Sequence, residues 1–240
     1  MMNGFDYYKA LNAKALSVFE ISIVNSQYAG EVQDFKMNIF YWRESISKFS
    51  SEVMLGHAIE ELDISCLQAL QGLYRGAFAS LRLSLEMICG AVYFSAHDIE
   101  YIEYIEWQKG SKDLVWAKIN CPENGILSKR FCNAYFESLG GVSQCYIAEL
   151  KGVYRELSEM VHGNNSTRKD DSPSIPINAQ VENDYLCALK KVKEVSNFIL
   201  TLRFLKSIES NNIQDLEPFI TDLLQHVEPI RVALGGPASE

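Results

Sequence analysis

Apolar positions recur every three to four residues along most of the chain, and no run of β-branched residues alternates with polar ones, so the pattern predicts helices and no sheet. Residues 8–26 read as a first helix and 32–49 as a second, with Phe35, Ile39, Trp42, Ile46 and Phe49 on one face. A third spans 53–71. Residues 73–96 are apolar nearly all round, as expected of a helix at the centre of a bundle, and their charges Arg75, Arg82 and Glu86 share one stripe. Residues 99–119 form a more polar, aromatic helix carrying Trp107 and Trp116, stopped by Cys121-Pro122-Glu123-Asn124-Gly125. A short helix, 126–139, is separated by Gly140-Gly141 from a longer one, 142–161, after which Gly163 stands where a left-handed C-cap favours glycine.

Residues 164–176 are polar and turn-rich. A long helix is predicted over 179–209, where Val181, Tyr185, Leu189, Val192, Val195, Ile199, Leu202 and Leu205 mark a core stripe or, failing that, a dimer seam. The last helix is placed at 216–227 with Pro218 in its first turn, before a fraying tail. No repeat, low-complexity tract or linker divides the chain. The expectation is one all-α domain over 1–240, an antiparallel helical bundle with N-terminal helices in 1–66, a core in 67–209 and a C-terminal helix and tail in 210–240.

Composition narrows the class. With 48% hydrophobic and 22% charged residues, the 240-residue chain can bury a real core. Six cysteines lack CxxC spacing and fall mostly in apolar helical stretches, as in a reducing compartment. The opening residues, with Asp6, Tyr7, Tyr8 and Lys9, do not resemble a signal peptide, and the apolar run 83–96 is short and broken by Glu86, so a soluble cytoplasmic protein without membrane association is expected. A net charge of −9 counts against nonspecific nucleic-acid binding, though a small basic cleft remains compatible with it.

The histidines are His57, His97, His162 and His226, and none pairs with another at metal-ligand spacing. No GxGxxG, GxxxxGK[ST] or GxSxG is present, so neither metal nor cofactor is expected. What remains is Tyr154-Arg155-Glu156-Leu157-Ser158-Glu159-Met160-Val161-His162. Seven residues on, a helix has turned through about 700°, so Arg155 and His162 fall within roughly 20° of one line and about 10 Å apart along the axis, with Ser158 between them. Leu157, Met160 and Val161 can anchor the helix while the polar line faces a groove.

Arg155, six intervening residues and His162 resemble the RX4–6H motif of the HEPN superfamily. The run Ala77-Phe78-Ala79-Ser80-Leu81-Arg82-Leu83-Ser84-Leu85-Glu86, followed by Leu157-Ser158-Glu159-Met160-Val161-His162-Gly163, is similar to uncharacterised bacterial HEPN-like proteins; the likeness covers 68–163 and the long helix after it. Glu156 stands where active members commonly carry Asn, Asp or His. The resemblance implies a metal-independent endoribonuclease acting as a toxin or antiviral effector, with RNA as substrate, a homodimer as the working unit and a regulatory or antitoxin protein as possible partner.

In such chemistry His162 moves protons and Arg155 stabilises phosphate charge. Ser158, Glu156, Arg82 and Glu86 support them, and Arg168 and Lys169 bind RNA. Two other readings stand beside it. His162 caps its helix and Arg155 pairs with Glu159, leaving a catalytically silent module that dimerises and binds a partner protein or a small nucleotide ligand; and Arg82 with Glu86 is a structural ion pair. The aromatic stretch Tyr101-Ile102-Glu103-Tyr104 with Trp107 and Trp116 is expected to be exposed and to favour dimerisation.

Overall fold

The computed structural model describes residues 3–96, 98–162, 175 and 177–238. Its elements are α1 (Gly4–Asn25), α2 (Tyr28–Ser45), α3 (Glu52–Leu70), α4 (Tyr74–Phe94), α5 (Asp98–Gln108), α6 (Trp116–Ile119), α7 (Lys129–Tyr135), a 3-10 turn (Glu137–Leu139), α8 (Ser143–His162), α9 (Ala179–Phe204), α10 (Ser210–Leu224) and α11 (Glu228–Ala233). No strand occurs among the described residues.

Five helices make the bundle, and pairs of touching residues set their directions. Asn38 and Trp42 of α2 both donate to Asn197 Oδ1 of α9, and Phe49 beyond α2 meets Phe204, so α2 and α9 run parallel. Phe78 packs on Tyr185 and Ser95 accepts from Arg203, so α4 runs with them. Ser65 with Ala77 and Ser84 with Ala58 set α3 against α4, while Tyr146 on Phe198 and Glu156 with Lys191 set α8 against α9. The helices predicted at 73–96, 142–161 and 179–209 are therefore mutual neighbours, as α4, α8 and α9.

α3 and α4 approach closely because glycine allows it: a Cβ at Gly76 or Gly90 would lie 2.5 Å from Gln68 Oε1 or Met54 Cε. By length and composition α4 could cross a membrane, but 67% of its most apolar window is buried inside the fold. The stripe predicted over 179–209 is core: Tyr185, Leu189, Val192, Val195, Ile199, Leu202 and Leu205, the last just past α9, are buried, and Val181 is half-buried against them.

Several boundaries differ from the sequence expectation. The helix predicted over 99–119 is two helices, because Gly110 at φ +67° ends α5: Gly110 N–H donates to Trp107 O and Ser111 N–H to Glu106 O, the paired bonds of a Schellman cap. The segment 126–139 holds only α7 and the 3-10 turn. α9 stops at Phe204, not 209. α10 begins at Ser210, so Pro218 sits mid-helix at an exposed position, and the Gln214 carbonyl four residues before it loses its helical donor. The tail expected to fray forms α11, held by buried Ile230. The cap reading of Gly163 lies outside the described residues.

Of the aromatic stretch expected to be exposed, the Tyr101 side chain lies outside the described ones and the other aromatics are buried or half-buried. Tyr104 is buried and donates to Ser50 O at 2.6 Å, Trp107 packs against the core and Trp116 is half-buried, although Ile102 stays exposed. Exposed aromatics gather instead on α1, at Phe5, Tyr7 and Tyr8.

Candidate functional site

α8 is amphipathic, and its faces follow from 100° per residue. Tyr146, Leu150, Val153 and Leu157 are buried and define the face that anchors the helix between α4 and α9. Arg155 and His162 lie roughly opposite, on the outermost ridge. The polar line predicted to face a groove lies on the side of α8 away from its buried face, where Arg155 and His162 are exposed. The reason is that Leu157 with Val153, more than Met160 and Val161, sets the buried direction; the latter two are half-buried at the flanks.

The Arg155 side chain is 83% exposed and donates from Nε to Glu159 Oε1 at 2.9 Å, one turn on. An exposed pair of this kind contributes about 0.3–0.5 kcal/mol, so the guanidinium exchanges partners readily. His162 ends the helix and is exposed. Ser158 Oγ donates to Tyr154 O at 2.6 Å, which turns its hydroxyl toward the backbone. On the α9 flank Glu156 accepts from Lys191 at 3.0 Å, and that bond pushes the Lys191 ammonium up from its ordinary value. Arg168 and Lys169 lie outside the described residues, as does His97.

On the α4 flank the ion pair of Arg82 and Glu86 read from the sequence is joined by Tyr154 and Trp116, which sequence reasoning did not place there. Arg82 Nε donates to Glu86 Oε1 at 2.9 Å, Arg82 Nη2 donates to Tyr154 Oη at 2.6 Å, and Tyr154 Oη donates to the same Glu86 oxygen at 2.9 Å. Trp116 of α6 lies flat on the Tyr154 ring, centroids 3.7 Å apart and planes 8° from parallel. Burial, with Glu86 close by, pushes the Tyr154 phenol up to about 12. Arg82 and Glu86, expected to support Arg155 and His162, meet α8 at Tyr154, about 100° around the helix from Arg155. No hydrogen bond or ion pair among the described residues joins them to Arg155 or His162. The available signal was adjacency, since Tyr154 directly precedes Arg155 in the stretch singled out from the sequence.

Elsewhere chemistry is sparse. A pocket of about 160 Å³ between the α6–α7 turn and α8 is lined by Cys121, Ser128, Gln144 and Lys151 among others, and Lys151 precedes Arg155 by one helical turn. Among the described residues no three His, Cys, Asp or Glu side chains converge as a metal site requires. The six cysteines are free, with Cys145 and Cys187 exposed and Cys89 and Cys132 buried. No protein-family model, curated protein or solved structure matches the chain.

Proposed function

We propose that the chain is a metal-independent endoribonuclease of the HEPN type, in which the Arg155 and His162 ridge becomes a working site when a second chain is brought against it. The observation that carries the reading is the placement of a guanidinium and an imidazole on one accessible line of α8, opposite its anchored face. His162 would take or give the proton at the ribose 2′-hydroxyl or the leaving 5′-oxygen, and Arg155, released from Glu159, would hold the phosphate oxygens. One chain offers a single guanidinium and a single imidazole on this line, which is why a homodimer belongs to the proposal. The settings are those the resemblance implies, a toxin or an antiviral effector.

A second reading is carried by the carboxylates. Glu159 engages Arg155, and Glu156 stands beside it, bound to Lys191. With a net charge of −9, this ridge suits a catalytically silent module that meets a partner protein.

The test is RNA cleavage by the purified full chain in excess EDTA. The nuclease reading expects products ending in 2′,3′-cyclic phosphate, no cleavage where the 2′-hydroxyl is replaced by hydrogen, and a loss on the order of 10²- to 10⁴-fold in His162→Ala or Arg155→Ala. Intact RNA, together with an unchanged cellular phenotype in the double variant, assigns the silent module.

A further inference from the structure

On α1 an apolar stripe is left uncovered. Leu11, Ala15, Val18 and Ser22 face the fold, where Ala15 and Val18 pack against Ile175 and Ser22 approaches Glu182 of α9. Beside that face Phe5, Tyr8, Asn12, Leu16 and Phe19 fall within about 80° of one another at 100° per residue. Phe5 is 83% exposed, Tyr8 70% and Leu16 54%; Asn12 is exposed and Phe19 half-buried.

The spacing is symmetric over residues 5–19, beyond which Ile23, 42% exposed, continues the stripe on one side only. Counted from Asn12, apolar side chains stand four and seven residues to either side: Tyr8 and Leu16, then Phe5 and Phe19. A second copy of α1 laid antiparallel, with its two-fold axis at Asn12, meets this pattern at every level. Phe5 rests on the partner's Phe19, Tyr8 on the partner's Leu16, and Asn12 on the partner's Asn12, where two amides can bond one another. A single asparagine in an apolar helical seam is a known means of fixing register and oligomer state.

We propose that α1 is a homodimerisation helix pairing antiparallel with α1 of a second copy about Asn12. The area suffices: these side chains, at roughly 150–250 Å² for each aromatic, offer on the order of 500 Å² per copy, and a pair reaches the ~1,000 Å² that a specific interface requires. A parallel pair would set Lys9 against Lys9 and Glu20 against Glu20, with helix dipoles aligned. The antiparallel pair opposes the dipoles and brings Glu20 near the partner helix's N-terminus. A membrane surface fits less well, because interfacial helices carry a Lys- and Arg-rich polar face, whereas α1 balances Lys9 and Lys14 with Asp6 and Glu20 in a chain of net charge −9. The proposal stands apart from RNA chemistry, since a dimer that leaves RNA intact would satisfy it.

Sedimentation equilibrium of the full chain tests it. The parent should dimerise in the micromolar range, and Leu16→Glu, at an exposed position, should be monomeric with unchanged helical circular dichroism. Asn12→Asp and Asn12→Lys should each dissociate alone, because like charges meet on the axis, and form a one-to-one heterodimer when mixed. Tyr8→Lys mixed with Leu16→Glu should also associate if the helices are antiparallel. A parent that stays monomeric at ~200 μM, far above the micromolar range of ordinary association, overturns the proposal. So does a dimer indifferent to Leu16→Glu, a pair of Asn12 variants that fail to associate, or a monomer that binds anionic vesicles through α1.

Discussion

Arg82 donates from Nη2 to the Tyr154 hydroxyl over 2.6 Å while its Nε holds Glu86, so one guanidinium joins the middle of α4 to α8. Tyr154→Phe keeps the ring on Trp116 but removes the hydroxyl from both partners, leaving a half-buried ion pair less well satisfied. The expected loss is about 1–2 kcal/mol, the usual cost of deleting one member of a charged hydrogen bond. Chemical denaturation of parent and variant measures it; equal midpoints would show that water replaces the hydroxyl at no cost.

Gly110 provides a second test, because nothing lies within 4 Å of an added Cβ and its backbone sits at φ +67°. Gly110→Ala should therefore cost about 1–2 kcal/mol through conformation alone. The melting temperature should fall by several degrees, with the same maximal helicity. An unchanged melting temperature would mean that α5 can end without the left-handed residue.

These two sites also show where sequence reasoning succeeds and stops. The face of α2 with Phe35, Ile39, Trp42 and Ile46 was legible because burial follows the 3.6-residue period, and all four side chains are fully buried. Gly110 was present in the sequence as a stop signal, but the aromatic periodicity from Tyr101 to Trp116 runs across it and conceals the break. The meeting of Trp116 with Tyr154 was not legible at all, since stacking between residues 38 apart depends on how α6 folds back over α8. Arg155 and His162 were placed on one line correctly, because that follows from helix geometry. Whether the line lies in a groove or on a ridge depends on the neighbouring helices.

Arg203 is buried near the end of α9, donating to Ser95 O at 2.7 Å with the rings of Phe49, Tyr135 and Phe204 4.1–5.0 Å from its guanidinium carbon. No carboxylate is paired with it among the described residues, its Nε has no hydrogen-bond partner, and burial pushes its pKa down. Arg203→Met retains most of the volume and removes the buried charge, so stability should change by less than about 1.5 kcal/mol. Arg203→Ala opens a cavity among the three rings and should cost about 2–4 kcal/mol. If methionine proves as damaging as alanine, the charge itself stabilises the α4 C-terminus through its carbonyls.

Alkaline pH should unfold the bundle through its tyrosines. Burial pushes the phenols of Tyr74 and Tyr154 up to about 12, and those of Tyr28, Tyr146 and Tyr185 upward as well. In the unfolded chain each ionises near 10. Below that pH both states hold the proton and stability is unaffected. Above it the unfolded state releases protons that the folded state keeps, and each such tyrosine then lowers stability by up to about 1.4 kcal/mol per pH unit until its folded pKa is passed. Phenolate absorbance of the buried set at 295 nm should therefore rise only together with the loss of helical circular dichroism. A single titration near pH 10 with the helices intact would show that the buried phenols ionise within the folded protein.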